Sequence, residues 1–326
     1  MPLLAELFQR LFFYFGGNSM KKINFTSVCK KTFALAATIL LFTSTGCSKK
    51  YKATEEAAVY KPEYEEACKL LKGKFRVGME CAYAPFNWTQ SSTKIASDGW
   101  EAVPIFGTPD YAFGYDVMFS KMIADEMGLK LEVHKVQWSS IVLGMKSGDY
   151  DMIIAGMIYS QDRDKTLDFT RAYYNRDNVM VIKTGSPLAA ATTLSDFTGC
   201  KATTQINTNW SLYVEQIPEV KIIPYPETTA EVVMQVAMGA VDCAVLDYPT
   251  GYSATLSNPD VSIVRFKKGN GFVTPEGASE ACSVAVDEGN LVIRDAVAKA
   301  MDAIGWDQAK MDTYMDLAIK TQPLSN

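Results

Sequence analysis

Residues 156–170, "GMIYSQDRDKTLDFT", place one arginine among several carboxylates directly after an apolar run. Arg163 has the most specific chemistry of this segment, because a guanidinium offers two parallel N–H donors that match the two oxygens of a carboxylate. The preceding residues 152–155 are typical of a buried strand, so the loop is expected at a strand end. The charges alone are more typical of a solvated turn with a helix cap. Arg163 is therefore a candidate anion-binding residue that needs support from the rest of the chain.

No catalytic or metal-binding pattern accompanies this loop. His134 is the single histidine of the sequence and alternates along a predicted strand, so no Ser/His/Asp set, zinc site or Cys/His pair can be assembled around it. The cysteines that follow Cys47 lack metal-ligand spacing and are odd in number, so at least one has no intramolecular partner. They are Cys68, Cys81, Cys200, Cys243 and Cys282. The sequence predicts no metal centre, no cofactor and no catalytic residue.

The elements that would position Arg163 alternate between strands and helices. Apolar residues at helical spacing, with Asp116 able to cap the start and Gly128 to end it, predict a helix over 116–128. The same reasoning predicts strands at 74–79, 130–136, 151–157, 201–205, 220–225, 241–247 and 281–289, and further helices at 139–148, 209–217 and 229–240. Two α/β units of this kind predict a cleft between lobes, with ligand contacts at the carboxyl ends of strands.

The bulk composition restricts the class of protein. The chain has 326 residues, of which 48% are hydrophobic, enough for two compact domains with real cores. Its formal net charge is −5 and it lacks a basic block, which argues against nucleic acid as a partner.

The N-terminus predicts export. Residues 20–46 combine a charged start, the apolar run "TFALAATILLF" and a small-residue segment, the pattern of a signal peptide and too short for a permanent span. Cys47 resembles the lipidated cysteine of a bacterial lipobox, although Ser44 stands where leucine is usual, and an ordinary signal peptide is the alternative. Lipidation of Cys47 would hold the protein at a membrane surface. Residues 1–19 are interpreted as a non-native extension, and 47–73 as a tether with a short helix.

Six segments, in order, resemble the bacterial solute-binding proteins of the polar amino-acid ABC transporter family, family 3, of the lipoprotein type. They are "FRVGMECAYAPFNW" (75–88), "GYDVMFSKMIADEMG" (114–128), "QWSSIVLGMKSGDYDMIIAGM" (137–157), "DRDKTLDFT" (162–170), "GCKATTQINTNW" (199–210) and "GAVDCAVLD" (239–247). The resemblance covers about residues 74–320. It implies an α/β, two-lobed periplasmic-binding-protein fold of type II, in which each lobe is a mainly parallel sheet flanked by helices and two crossover strands join the lobes. The implied lobes are 74–182 plus 284–326, and 183–283.

The resemblance also implies roles for residues of the loops. In such proteins the arginine of this loop binds the ligand's α-carboxylate, and here it is Arg163. Asp247 matches the aspartate that pairs with the α-ammonium, with a plain turn aspartate as the alternative. Asn207, Thr208 and Asn209 occupy the family's Gly-Ser/Thr turn, where backbone amides at a helix start suit a carboxylate. Asn207 is acceptable in place of glycine because asparagine readily adopts positive φ. Because the contacts come from both lobes, binding is expected to close them.

Side-chain recognition is expected from Tyr83 and Trp138, which match aromatic walls of family pockets, and from Glu80 near the pocket floor. Glu80 would attract a cationic or hydrogen-bonding side chain if it faces inward. The alternatives are a core aromatic at Trp138 and a solvated Glu80.

Two features depart from the family pattern. Ile158 stands five residues before Arg163, where the family usually presents a serine or threonine hydroxyl, so one ammonium contact is missing; the carbonyl of Gly156 is still available. The loop 91–113 is longer than usual, and its aromatic residues would form a lid or pack the loop down. Together these departures slightly favour a bulky or aromatic ligand.

The implied function is an extracytoplasmic receptor, monomeric and lipid-anchored at the cell membrane or in the periplasm, that delivers an α-amino acid to an ABC transporter permease. The resemblance implies a binding protein rather than an enzyme. Two alternatives stay open. One is a cyclohexadienyl- or prephenate-type dehydratase on the same fold, which needs a positioned general acid, and Glu80 is the candidate. The other is a ligand-binding sensor module.

Overall fold

The computed structural model describes residues 60–97 and 99–323. The predicted signal peptide, Cys47 and the extension 1–19 lie outside the described residues. The helices are α1 (Glu65–Leu70), α2 (Tyr115–Met127), α3 (Ile141–Lys146), α4 (Ser211–Val214), α5 (Thr229–Ala237), α6 (Tyr248–Ser257), α7 (Leu291–Ala303) and α8 (Gln308–Thr321). Within the described part of the chain, every helix is too short or too polar to cross a membrane.

The described residues form three sheets. The strands are β1 (Lys74–Met79), β2 (Ala82–Tyr83), β3 (Asn87–Gln90), β4 (Val103–Pro104), β5 (Tyr111–Phe113), β6 (Lys130–Lys135), β7 (Met152–Ile153), β8 (Ile158–Ser160), β9 (Leu167–Asn175), β10 (Asn178–Lys183), β11 (Lys201–Thr203), β12 (Lys221–Ile222), β13 (Cys243–Asp247), β14 (Val261–Val264) and β15 (Ala278–Asp287). The first sheet has the order β6-β1-β7-β15-β8, with β9 also paired to β15; the second has the order β12-β11-β13-β10-β14. The third, β2-β3-β5-β4, is small.

Both large sheets mix parallel and antiparallel pairs. In the first, β1 runs parallel to β6 and β7, while β15 is antiparallel to its neighbours. In the second, β11 runs parallel to β12 and β13, while β10 is antiparallel to β13 and β14. Helices flank the sheets, so the predicted two-lobed α/β fold is confirmed.

The chain crosses between the two large sheets twice. The first crossing lies at residues 176–177, between β9 and β10, and the second at residues 265–277, between β14 and β15. The boundary predicted from the sequence, at 182/183, falls inside β10, whose pairing is with strands of the second sheet.

Helix α2 shows how the sequence determines one element and where the prediction was wrong. Gly128 follows the helix with φ 75°, the left-handed conformation that glycine adopts without steric cost, as predicted. Asp116 does not cap the helix, however, because the N-cap is Gly114. Its carboxylate is instead buried and accepts hydrogen bonds from Asn87 Nδ2 and from the Tyr173 hydroxyl, each at 2.7 Å. Burial raises the pKa of Asp116 to about 7.

Several predicted elements are shorter than expected. The predicted helix 209–217 is reduced to the single turn of α4, and the predicted strand 151–157 to the two residues of β7. In the second case β7 ends at Ile153, and the chain passes through Gly156, with φ 61°, before it rejoins the same sheet as β8.

The long loop 91–113 packs against the body of the protein. Trp100 lies 6.3 Å from Phe113 and 5.9 Å from Tyr314, measured between ring centroids. Phe113 is buried within β5, while Phe106 is exposed and stacks on His134. Of the two outcomes expected for this loop, the structure has the packed one.

Candidate functional site

A small cleft with about 10 Å³ of free space, room for about one water molecule, lies between the two large sheets. Residues of both sheets and of the first crossing line it: Glu80, Tyr83, Trp138, Ala155, Gly156, Ile158, Arg163, Arg176, Gln205, Thr208, Asn209 and Trp210. Eight of the ten residues predicted as ligand contacts are in this lining: Glu80, Tyr83, Trp138, Gly156, Ile158, Arg163, Thr208 and Asn209. The structure thus brings together residues more than a hundred positions apart, because the carboxyl ends of β1 and β11 face the same gap.

Arg163 follows β8 and extends its guanidinium towards the second sheet. Its Nη1 donates to the carbonyl of Ile158 at 2.8 Å, and its Nη2 donates to the carbonyl of Asn207 at 3.1 Å. The Trp138 ring lies 5.6 Å from the guanidinium carbon, in cation–π contact. Burial, with a smaller effect of the Arg176 charge, lowers the pKa of Arg163 to about 10, so the group remains cationic at neutral pH. Among the described residues, no carboxylate lies within ion-pair distance of this cation.

Glu80 follows directly after β1, and its side chain faces inward, as one of the two alternatives predicted. The residue is 5% exposed, and its Oε1 accepts a hydrogen bond from Gln205 Nε2 at 2.7 Å. Burial raises the pKa of this carboxyl from 4.5 to about 8, partly offset by the hydrogen bond from Gln205. Glu80 is therefore mostly protonated at neutral pH and contributes little negative charge to the cavity.

Asp247 is outside the cavity lining. It is fully buried at the end of β13, where it caps α6 by accepting from the backbone N–H of Thr250 at 2.9 Å and from its hydroxyl at 3.1 Å. The Tyr83 hydroxyl, from β2 of the small third sheet, donates to Asp247 Oδ2 at 2.6 Å. The Tyr83 ring thus stands between the carboxylate and the cavity, and most of the acceptor capacity of Asp247 is taken by protein groups.

The turn at Asn207 also differs in detail from expectation. Asn207 has φ 58°, the positive value that the sequence predicted. Asn207 itself is not in the cavity lining; its carbonyl accepts from Trp138 Nε1 at 3.3 Å and from Arg163. The carbonyl of the turn, rather than its amides, therefore contacts the first sheet.

Gly156 and Ile158 shape the wall beside Tyr83. An added Cβ at Gly156 would meet Tyr83 Cε1 at 2.6 Å, so glycine is required here by close approach as well as by its positive φ. The Gly156 N–H donates to the Tyr173 hydroxyl at 2.8 Å. Ile158 is 1% exposed and supplies only its backbone carbonyl, to Arg163.

Sequence reasoning missed four residues of the lining, Ala155, Arg176, Gln205 and Trp210. Arg176 lies in the first crossing, and its guanidinium carbon is 4.7 Å from the centre of the Trp210 ring. Asn178 Oδ1 accepts from Trp210 Nε1 at 3.1 Å and fixes that ring. Nothing in the sequence indicates that Arg176 is buried, because its local sequence, "YNRDN", is typical of an exposed turn.

Polar contacts between the two sides hold the cavity closed. Besides the pairs Tyr83–Asp247 and Glu80–Gln205, the backbone N–H of Ser139 donates to Glu227 Oε1 at 2.8 Å. A polar cleft this small can take in a charged small molecule only when its two sides separate, so both binding and release require that movement.

Comparison with known proteins identifies the family of the chain. Residues 106–314 match the family described as bacterial extracellular solute-binding proteins, family 3. The chain is 23% identical over 224 residues to the arginine-binding extracellular protein ArtP of Bacillus subtilis, which covers 66% of this chain and 74% of that protein. It is 24% identical over 240 residues to the L-arginine-binding protein of Pseudomonas aeruginosa, covering 70% of this chain and 82% of the relative.

Solved structures share the fold. An amino acid ABC transporter substrate-binding protein from Streptococcus pneumoniae, bound to L-arginine, superimposes with a TM-score of 0.65 at 22% identity and covers 79% of this chain and 98% of its own. An ancestral arginine-binding protein bound to glutamine gives a TM-score of 0.57 at 24% identity, covering 76% and 97%. With the family match spanning more than half of its residues, the chain belongs to the bacterial extracellular solute-binding proteins of family 3 and is a binding protein rather than an enzyme.

Proposed function

We propose that this protein is the extracytoplasmic receptor of an ABC importer and captures an α-amino acid between its two lobes. Family membership supports the solute-binding role. The names of its relatives support the ligand class, since they include arginine-, histidine- and cystine-binding proteins and an amino-acid ABC transporter-binding protein. The receptor would pass its ligand to a membrane permease.

The observation that carries the proposal is the guanidinium of Arg163, a half-buried cation at the cleft between the two large sheets. Its two hydrogen bonds go to neutral backbone carbonyls, so its charge is left without an ionic partner among the described residues. A half-buried cation without an ionic partner is a favourable place for a carboxylate, and each charge-assisted hydrogen bond contributes about 1.5–3 kcal/mol. A ligand carboxylate would supply that partner through two parallel hydrogen bonds.

The ammonium group is assigned to Asp247, in exchange for the hydroxyl of Tyr83. Asp247 ends β13 of the second large sheet and Arg163 follows β8 of the first, so a ligand bound to both would bridge the two large sheets. Trp138 and Tyr83 would enclose the aliphatic part of the ligand, with Thr208 and Asn209 at the turn of the second lobe.

Attachment to a membrane completes the proposal. Lipidation of Cys47, which lies outside the described residues, would keep the receptor near its permease, with residues 47–73 as the tether. The receptor would act as a monomer. Mass spectrometry of the membrane fraction from an expressing bacterium, compared with that of Cys47→Ser, tests this part by the mass of a bound diacylglyceryl group.

A thermal-shift screen of residues 48–326 against the twenty amino acids tests the binding function. A ligand that binds only the folded state adds about 2.7 kcal/mol at a hundredfold excess over its dissociation constant. We expect one or a few amino acids to raise the melting temperature, and Arg163→Ala to abolish the shift. The matched control is Arg171→Ala, because Arg171 pairs with Asp302 outside the cavity and should leave the shift intact. Absence of a shift with every amino acid would refute the proposal.

A further inference from the structure

Arg176 is a second guanidinium in the lining of the cavity, and it is poorly satisfied. The residue is 7% exposed, and a guanidinium carries five N–H donors. Within the described residues its side chain makes a single hydrogen bond, from Nη1 to the Tyr83 hydroxyl at 3.3 Å. Its Nε lacks any hydrogen-bond partner. A buried cation with this many unused donors is costly unless another group binds it.

Two carboxylates lie within ion-pair distance of Arg176 but form no hydrogen bond with it, and Glu280 Oε2, like Arg176 Nε, lacks a hydrogen-bond partner among the described residues. Asp247 Oδ2 lies 3.8 Å from Nη1, and Glu280 Oε2 lies 3.8 Å from Nε, both beyond hydrogen-bond distance. Asp247 Oδ2 already accepts hydrogen bonds from the hydroxyls of Tyr83 and Thr250. These carboxylates hold the cation in place by charge, and the face of the Trp210 ring fixes its plane.

The charged groups that line the cavity are two guanidiniums and one carboxyl. The carboxyl belongs to Glu80, which is mostly protonated at neutral pH because burial raises its pKa. Ile158 removes the acceptor oxygen that a hydroxyl residue would present. The lining therefore presents an excess of hydrogen-bond donors, although Asp247 and Glu280 balance part of the charge of Arg176, and free donors suit a ligand with further carboxylate oxygens.

We propose that Arg176 contacts the ligand directly and selects an α-amino acid whose side chain ends in a second carboxylate. The inference rests on the proposed function, because Arg163 takes the α-carboxylate and leaves the second guanidinium for the side chain. A cationic side chain would meet Arg176 across the cavity and be repelled, so the selectivity is opposite to that of the arginine-binding relatives.

Titration calorimetry with L-glutamate, L-aspartate, L-glutamine and L-arginine tests the inference on the wild type, on Arg176→Gln and on the control Arg171→Gln. We expect an acidic amino acid to bind the wild type at least about tenfold more tightly than glutamine or arginine. Arg176→Gln should weaken the acidic ligand at least about tenfold while changing glutamine less than about threefold, and Arg171→Gln should change neither.

Other outcomes separate this inference from the proposed function. Tightest binding of arginine, or an unchanged affinity for the acidic ligand in Arg176→Gln, would overturn the role of Arg176 while leaving the receptor function standing. Failure of every amino acid to bind would overturn both. Should Arg176→Gln not fold, the wild-type order of affinities still decides, and Arg176→Lys, which keeps the charge but loses the planar fork, should bind the acidic ligand with intermediate affinity.

Discussion

Glu80→Gln should stabilise the ligand-free protein at neutral pH. The substitution keeps the size of the side chain and an oxygen that can accept from Gln205 Nε2, but it removes a carboxyl whose pKa rises from 4.5 to about 8 on folding. An acid with a raised pKa binds its proton more tightly in the folded state than in the unfolded state. The free energy of unfolding therefore falls as the pH rises from about 4.5 to about 8, and levels off above that range.

The size of this change in stability follows from the two pKa values of Glu80, 4.5 in the unfolded state and about 8 in the folded state. Each pH unit between the unfolded and folded pKa costs about 1.4 kcal/mol, so at pH 7 the carboxyl of Glu80 lowers stability by about 3 kcal/mol relative to a neutral group. Asp116 and Glu280 also have raised pKa values and add slopes of the same sign. These slopes are common to wild type and variant, so they cancel in the difference between them.

Chemical denaturation at pH 5, 6, 7 and 8 measures this difference. We expect Glu80→Gln to be about 3 kcal/mol more stable than the wild type at pH 7, with the gap shrinking towards zero near pH 5. Glu63→Gln, at an exposed position, controls for the general effect of replacing a carboxyl by an amide. A stability difference that does not change with pH would refute the assignment of a protonated, buried Glu80.

Three further substitutions test the contacts around the cavity. Tyr83→Phe leaves Asp247 short of a buried hydrogen bond and should lower the free energy of unfolding by about 1–3 kcal/mol in denaturant titrations, whereas no loss would mean that the hydroxyl is not needed there. Gly156→Ala should lower the free energy of unfolding by about 1–2 kcal/mol because of the positive φ, and by more because the added Cβ would clash with Tyr83. An unchanged melting temperature would contradict the positive φ and the close contact at this position. Ile158→Thr should tighten amino-acid binding up to about tenfold in calorimetry by restoring a hydroxyl, and weaker binding would count against an ammonium at that position.

The sequence predicted the fold and most of the cavity because local patterns carry that information. Strand β1 was predicted to the residue, and the neighbourhood of Glu80, Tyr83 and Arg163 followed from the strand ends and from the family pattern. The periodicity did not predict the break between β7 and β8, because the apolar run continues to Ile158 while Gly156 within it adopts a positive φ.

What the sequence missed depends on how the two sheets face each other. Arg176 and Gln205 enter the cavity from a crossing and from a turn, where no periodicity predicts direction. Asp247 sits at the predicted strand end, yet the hydroxyl of Tyr83, 164 positions earlier, screens it from the cavity. Such screening is a tertiary effect that local propensity does not encode.

A crystal structure of the chain grown with the amino acid found in the thermal-shift screen tests the central claim most directly. We predict that the ligand occupies the cavity between the two large sheets, with both oxygens of its α-carboxylate within hydrogen-bond distance of the guanidinium of Arg163. A ligand bound elsewhere, or one whose α-carboxylate contacts another cation while Arg163 keeps only its two backbone carbonyls, would contradict it.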